Sequence, residues 1–157
     1  MLNRKTYYGL QALLFLARNV DSSSVAINSI AQSLEISRKF LEKILVELGS
    51  EGLVSSKKGR SGGYFISKDL NNISLADIVR ILEGPIALLP CASHRFYEPC
   101  KECESPDKCS LQDALVNVRN NTVYSLKSIK ISDILLNEEK LNRGILKPQR
   151  PIPFKEK

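Results

Sequence analysis

The sequence is poor in the residue types that carry most enzyme chemistry. It has no tryptophan, one methionine and a single histidine, His94, in 157 residues. It also contains no GxSxG, Walker or Rossmann glycine motif. Because one histidine cannot supply most acid–base arrangements, the sequence favours a binding protein over an enzyme. Cysteine chemistry assisted by His94 is the enzyme alternative, although no βαβ pattern surrounds the CxxC pair.

Long hydrophobic runs are also absent. No apolar stretch approaches the roughly 20 residues that a membrane-spanning helix requires. Residues 1–19 come closest to a signal peptide, but Gln11 interrupts their apolar residues and no small-residue cleavage site follows. The proportions of hydrophobic and charged residues, 43% and 25%, are typical of a soluble globular protein. We therefore expect a cytoplasmic protein with no membrane partner, whose first segment is an amphipathic helix.

Cysteine is missing from most of the chain, and all four cysteines lie within residues 91–109. They are Cys91, Cys100, Cys103 and Cys109. Structural thiols are usually buried singly, so a cluster in a polar segment indicates a soft metal, an iron–sulfur cluster or thiol exchange. A reducing cytoplasm favours metal over disulfides. Zinc fits less well than an iron–sulfur cluster because only Cys100 and Cys103 have a zinc-knuckle spacing; a thiol redox switch, or cysteines without a role, is the third alternative.

Apolar residues repeat with helical spacing in three consecutive segments near the start of the chain. The stripes are Leu10, Leu13, Leu14 and Ala17, then Ile27, Ile30, Ala31 and Leu34, then Leu41, Ile44, Leu45 and Leu48. Ser37 is a natural N-cap for the third helix. About three residues join the second and third helices, which predicts a helix-turn-helix.

A basic hairpin is predicted directly after these helices. Leu53–Lys57 and Tyr64–Ser67 have the character of short strands, and the glycines between them permit a tight turn. The cations Lys57, Lys58 and Arg60 crowd the tip. A solvated charge cluster is the ordinary interpretation of such a run. Its position behind a helix-turn-helix favours a wing instead.

The net charge of +6 and the pI near 9.2 suggest a polyanionic partner, and the predicted elements suggest double-stranded DNA. The N-terminal residues of a helix in the major groove lie closest to the bases. Arg38 is the best candidate to read guanine with two hydrogen bonds. Phe40 is either a core residue or a contact to a thymine methyl group. The candidate DNA-binding residues are Ser37, Arg38, Lys39, Phe40 and Lys43 on the helix, and Lys57, Lys58, Arg60 and Ser61 on the wing.

A protein adaptor that uses the same fold for protein contacts is the rival from another class. It would not need these cations, so a salt titration of duplex binding separates the two hypotheses.

The predicted fold is mainly α with a small β-hairpin, and has four parts. A winged helix-turn-helix domain covers 1–83, a cysteine-containing sensor loop 84–109, a dimerisation helix region 110–136, and a disordered basic tail 137–157. The dimer prediction rests on a heptad-like seam in the long helix that is predicted to begin at Ser110. The seam consists of Leu111, Leu115, Val118, Thr122 and Ile129, with Ser125 filling the gap.

The sequence resembles the IscR/NsrR/CymR-type winged helix-turn-helix transcriptional regulators of bacteria over roughly residues 1–135. The segments that carry the resemblance are YYGLQALLFLA, SIAQSLEISRKFLEKILVELGSEGLV, GRSGGYFIS and ISLADIVRILEG, followed by the cysteine loop and a long helix. It implies a homodimer in which the long helix packs against its counterpart, and a dimer of this kind is expected to bind a roughly palindromic operator. It also implies regulation by a 2Fe-2S or 4Fe-4S cluster, a small effector or a partner protein.

The resemblance also implies a ligand set. Cluster-binding members place three cysteines in this loop with five residues between the last two, as between Cys103 and Cys109, and Cys91 stands at the expected start. The interval from Cys91 to Cys103 is longer than usual, and Cys100 is an addition.

Some relatives take a fourth ligand from a position that holds Tyr7 or Gln112 here, and neither side chain is a usual metal ligand. Cys100 and His94 are therefore the candidates for the fourth ligand. Other members of the family lack the cysteines and bind no cluster.

Overall fold

Six α-helices and one antiparallel hairpin make up the computed structural model, which describes residues 2–20, 24–59, 62–100 and 105–151. In chain order they are α1 Arg4–Arg18, α2 Ile27–Ser33, α3 Arg38–Ser50, β1 Val54–Lys57, β2 Gly63–Ile66, α4 Leu75–Glu83, α5 Ser110–Ser128 and α6 Ile131–Asn142. Short 3-10 turns lie at Leu70–Asn72, Pro90–Ala92 and Pro106–Lys108. The predicted fold class, mainly helical with a small hairpin after three helices, is confirmed.

The first three helices begin where local sequence supplies a cap and are held by one shared core. The side chain of Asn3 accepts a hydrogen bond from the Thr6 N–H at 3.0 Å, and Ser37 Oγ accepts one from the Phe40 N–H at 3.2 Å. The stripe residues with no more than 1% exposure are Leu13, Ile30, Leu41, Ile44, Leu45 and Leu48. Each such side chain contributes roughly 1.5–3 kcal/mol by burial, so the predicted stripes are the main source of the core.

A close approach of α1 to the helices behind it depends on Gly9. A Cβ atom at Gly9 would overlap Leu82 on α4 and lie 3.3 Å from Ile44 on α3. The absence of a side chain therefore lets α1 pack against both helices. This contact joins the helix-turn-helix to α4, which leads into the cysteine loop.

The first turn of α4 is held by a capping box. Ser74 Oγ accepts from the Asp77 N–H at 3.3 Å, and Asp77 accepts from the Ser74 N–H at 3.0 Å. Burial favours protonation of the Asp77 carboxyl, but the hydrogen bonds from Ser74 and the charges of Lys68 and Lys130 together outweigh it, so the pKa of Asp77 lies below its ordinary value. Because its pKa is depressed in the folded state, Asp77 stabilises the fold above the unfolded-state pKa, and this contribution is lost as the pH falls through the folded-state pKa.

Replacing Asp77 with alanine is expected to lower the free energy of unfolding by about 1 kcal/mol at neutral pH, because the cap and a favourable charge at the helix N-terminus are lost. Urea denaturation at neutral pH and at a pH well below the ordinary aspartate pKa of about 3.9 checks this prediction. The difference between the two proteins should shrink in acid. An equal difference at both pH values would show that the carboxylate charge plays no part.

The chain after α5 corrects two predictions. The dimerisation helix region 110–136 is not one helix, because extended backbone at Ile129 and Lys130 separates α5 from α6. There, Ile129 O accepts from the Leu75 N–H and the Ile131 N–H donates to Ile73 O, both at 3.0 Å. These bonds to the start of α4 replace the helical hydrogen bonds.

Helix α6 then returns to the core of its own chain. Ile131 is fully buried, and Arg18 on α1 makes two hydrogen bonds to Glu138, of 2.8 and 3.0 Å. The predicted disordered tail at 137–157 is therefore wrong at its start, since α6 continues to Asn142. No described helix is both long and apolar enough to cross a membrane.

Candidate DNA-binding surface and cysteine loop

The N-terminal end of α3 presents polar and basic groups to solvent. Ser37 caps the helix, and the side chains of Arg38, Lys39 and Lys43 are exposed. Cations in the first turn of a helix lie at the positive end of its dipole, which disfavours them unless an anion is near. These positions suit a partner that supplies negative charge.

Phe40 packs against the core but remains partly exposed to solvent. The ring is half-buried against the core, and meets the ring of Tyr8 on α1 edge to face, with 5.9 Å between centroids. Edge-to-face packing of this kind stabilises by about 0.5–1.5 kcal/mol beyond area burial. The packing accounts for Phe40 as a core residue, and a contact to a thymine methyl group stays a prediction for the part of the ring that is exposed.

The wing and α3, which is the predicted DNA-recognition helix, line one groove. Lys57 and Lys58 are exposed on the hairpin, and they line a groove of about 310 Å³ together with Arg38 and Asn28. Two segments that are distant in the sequence thus present their cations to the same space. Arg60 and Ser61, also predicted to bind DNA, lie outside the described residues.

Backbone hydrogen bonds to Val25 hold the hairpin against the residues just before α2. Val25 and Tyr64 exchange two backbone hydrogen bonds of 2.8 Å, which form an isolated antiparallel bridge beside β2. A Cβ atom on Gly63 would overlap the backbone carbonyl of Val25. Only glycine permits this approach, and the approach sets the position of the wing relative to the helix-turn-helix.

Replacing Gly63 with alanine is expected to push β2 away from Val25 and to reduce duplex affinity about tenfold, because the wing cations then leave the groove shared with Arg38. Titration of a fluorescent duplex measures the affinity. Replacing Gly59 with alanine serves as the control for the hairpin turn, since a Cβ there meets no atom within 4 Å, although its φ of +118° adds strain. Equal reductions in affinity in the two variants would contradict the role given to the Val25 contact.

Two residues on this surface were missed by the sequence prediction. Arg4 on α1 lines a second groove, of about 550 Å³, with Ser37 and Phe40, and its guanidinium lies 6.0 Å from the Tyr8 ring centroid. Asn28 lines the first groove from the start of α2. A cation in the first turn of α1, where the helix dipole disfavours it, was a signal that could have identified Arg4. Asn28 carries no comparable signal.

Gln112, in the first turn of α5, forms hydrogen bonds to two cysteines of the loop. Cys109 is the N-cap of α5, and its Sγ accepts from the Gln112 N–H at 3.4 Å. The side-chain amide of Gln112 donates to the backbone carbonyl of Cys91 at 2.8 Å, and Cys91 is buried. Gln112 therefore contacts the first and the last cysteine of the loop.

The structure describes the loop up to Cys100 and again from Ser105. Cys100 and His94 are exposed, and Cys103 lies outside the described residues. Within the described residues no three His, Cys, Asp or Glu side chains form a group that could hold a metal. The donor chemistry nevertheless suits an iron–sulfur cluster, which proteins hold through cysteine thiolates. Cys91 and Cys109, which both contact Gln112, carry thiols of this kind.

The start of the loop is connected to the candidate DNA surface. Glu83, the last residue of α4, accepts hydrogen bonds from the backbone N–H of Asn3 at 2.7 Å and from its side-chain amide at 2.9 Å. The backbone N–H of Asn3 is the main reason that the pKa of Glu83 lies below its ordinary value. Asn3 caps α1 and directly precedes Arg4, which lines the second groove. Glu83, the residue before the cysteine loop, is therefore bonded to the neighbour of Arg4.

Comparison with known proteins supports one family. The family model described as Rrf2, iron-dependent transcriptional regulator, matches residues 2–137. An rrf2-like HTH-type transcriptional regulator of Rhodobacter capsulatus is 36% identical over 138 residues, which is 86% of this chain and 92% of that protein.

Solved structures agree with the sequence matches. IscR from T. potens has a TM-score of 0.70 and 26% identity, covering 90% of each chain. CymR, described as the global cysteine regulator of B. subtilis, has a TM-score of 0.67 and 30% identity over 85% of this chain and 95% of its own. The predicted resemblance and the winged-helix fold are confirmed. With a family model that spans most of its length, the chain belongs to the Rrf2 family of DNA-binding transcriptional regulators, which are not enzymes.

Proposed function

We propose that this regulator acts as a homodimer that binds a roughly palindromic operator and is controlled by an iron–sulfur cluster held in the cysteine loop. The observation that carries the DNA-binding mode is the groove that joins Arg38 to Lys57 and Lys58. In this proposal Arg38 reads a base in the major groove, and the wing cations contact phosphates. A protein that works on the chromosome of a bacterium acts in the cytoplasm.

The dimer is proposed to form through the seam on α5. Leu111 and Val118 are 60% and 48% exposed, although both are apolar and lie on one face of the helix. A second α5 from another copy of the chain would bury this face. The symmetric pair would then place two recognition helices about 34 Å apart, or a multiple of that distance, which requires an approximately palindromic site.

The proposed cluster ligands are Cys91, Cys103 and Cys109, with Cys100 as the fourth. When bound, the cluster would supply redox and nitric oxide sensitivity. Gln112 would hold the first and last ligands against the first turn of α5, since it contacts Cys91 and Cys109. Exposed Cys100 suits the fourth position better than His94, because thiolates are the usual ligands of such clusters.

The proposed route from the loop to DNA runs through Glu83 and Asn3. A change in the loop that shifts Glu83 would alter the two hydrogen bonds that hold Asn3 at the start of α1. Arg4 follows directly in the chain and lines the groove beside Ser37. Regulation of this kind requires two states that differ in DNA affinity.

Anaerobic purification with measurement of absorption, iron, sulfide and zinc tests the cluster proposal. Broad bands between about 300 and 500 nm, with stoichiometric iron and sulfide that are lost in the Cys91→Ala, Cys103→Ala and Cys109→Ala variants, are the expected result. Replacing Ser105 with alanine is the control within the same loop. A colourless protein free of iron and zinc that still binds duplex DNA would overturn the cluster and leave thiol oxidation, a small effector or a partner protein. Zinc alone would indicate a tetrahedral thiolate site.

A further inference from the structure

A cavity of about 570 Å³ lies where the DNA-binding domain, the cysteine loop and α5 meet. Its walls come from residues just after α3, Lys68, the outer side of α4, the segment 84–96 and the second half of α5. Small-molecule sites commonly enclose about 300–1,000 Å³. The cavity is therefore large enough for a small organic ligand.

The walls of this cavity carry an excess of positive charge. The cations are Lys68, Arg80, Arg95, Arg119 and Lys127, and the carboxylates are Glu51 and Asp77. Asp77 is already engaged, because its Oδ2 accepts from both the N–H and the hydroxyl of Ser74, at 3.0 and 2.7 Å. Like charges gathered around one concave space raise its affinity for anions.

Arg119 supplies a second and independent observation. Its Nε is buried and has no hydrogen-bond partner among the described residues, while one terminal nitrogen donates to Asn120 at 2.7 Å. A buried donor without an acceptor costs about 1–3 kcal/mol. Arg119 lines the cavity, but Nε itself is covered, so an anion there can become its acceptor only if the side chain turns toward the cavity. The guanidinium fork would then match a carboxylate or a phosphate.

Apolar side chains complete the lining. Leu53, Ile81, Ile86 and Phe96 face the same space as the cations. A mixed lining of this kind suits an organic molecule with charged ends better than a free inorganic ion. We propose that the cavity binds a small organic anion carrying at least two carboxylate or phosphate groups, with Arg119 as its central contact.

Neither DNA nor a second copy of the chain needs this cavity. Glu51 follows the last residue of α3, about 20 Å along the helix from Ser37. On α5, Arg119, Val123 and Lys127 lie about 80°, 120° and 160° around the helix from Leu111, on the side where Val123 is buried. A bound anion would thus leave the proposed DNA and dimer surfaces open.

Calorimetric titration of the full chain with citrate and with pyrophosphate, at constant ionic strength and without DNA, tests the proposal. We expect one saturable site per chain for at least one probe, and the tighter probe assigns carboxylate or phosphate as the preferred group. Arg119→Gln should weaken binding about tenfold or more, since a charged hydrogen bond is removed. Glu51→Gln should strengthen binding about threefold, because it removes a negative charge from the wall. A gain of affinity cannot arise from misfolding.

A control variant and a measurement of duplex affinity separate specific anion binding from other effects of charge. Lys147→Gln, which removes an exposed cation far along the chain from the cavity lining, should leave the dissociation constants unchanged. Duplex affinity of Arg119→Gln, measured without either probe, should also be unchanged. Absence of saturable binding, or identical binding in the Arg119 and Glu51 variants, would overturn the proposal. A loss of duplex affinity in Arg119→Gln would assign these cations to DNA and overturn it as well. Because anion binding is measured without DNA, its result is independent of the proposed operator binding.

Discussion

Replacing Leu111 and Val118 together with glutamate is expected to convert the proposed dimer into a monomer and to lower affinity for a palindromic duplex at least about 100-fold. The two side chains lie one above the other on the exposed face of α5. In a dimer they would pack against the same face of the other chain, where four carboxylates cannot be accommodated without separating the helices. A monomer binds each half-site separately and loses the gain that comes from linking two binding events.

Sedimentation velocity and titration of a fluorescent duplex measure the two effects. Tyr124→Glu is a matched control on the same helix, since Tyr124 is 77% exposed and lies well away from the seam. It should remain dimeric and keep its duplex affinity. If the double variant sediments like the unaltered protein, α5 is not the dimer interface. If Tyr124→Glu dissociates instead, the interface lies on the other side of the helix.

Replacing Arg38 with alanine is expected to lower affinity for the specific duplex about 10- to 100-fold for each half-site, with little change in non-specific binding. A bidentate arginine–guanine contact contributes about 1–3 kcal/mol of discrimination. Arg38 stands at the first position of α3, exposed and at the mouth of the groove that includes the wing cations. Its removal should therefore relax sequence preference more than it weakens attraction to phosphates.

Lys58→Ala supplies the comparison that separates a base contact from a phosphate contact. It should weaken binding to all sequences alike and reduce the slope of log K against log salt by about one for each phosphate that the lysine neutralises. Arg143→Gln is the matched control, because Arg143 is an exposed arginine directly after α6 that pairs with Glu139. An Arg38 variant that loses specific and non-specific affinity equally would contradict base reading by this side chain. No salt dependence in the unaltered protein would favour the protein-adaptor alternative.

Much of the DNA-binding domain could be predicted because the signals are local. The stripes of α1 to α3 repeat every three to four residues, and Ser37 and Ser74 cap the helices that follow them. Each signal involves residues within one or two helical turns, so spacing alone carries it. The position of the wing tip cations followed from the glycines between two short strands.

The region after residue 84 was less predictable because its order depends on contacts between distant segments. The break before α6 exists because Ile129 and Ile131 bond to the start of α4, and nothing in the local spacing marks it. The continuous seam from Leu111 to Ile129 predicted one helix. The helix instead ends at Ser128, because this lets Ile131 be buried in the core of the same chain. The tail prediction failed at its start for the same reason.

The sequence by itself determined the class of the protein, because helical periodicity, capping residues and a basic hairpin in this order define a winged helix-turn-helix. It also determined that thiol donors are concentrated in one loop. Tertiary structure decided how these parts meet: Val25 against Gly63 sets the wing, Gln112 joins Cys91 to Cys109, and Glu83 joins the loop to α1. These contacts join residues from 21 to 80 positions apart, and the cationic cavity forms only where several segments distant in the sequence converge. Spacing along the chain cannot encode them, because they arise when separate elements bury a common core.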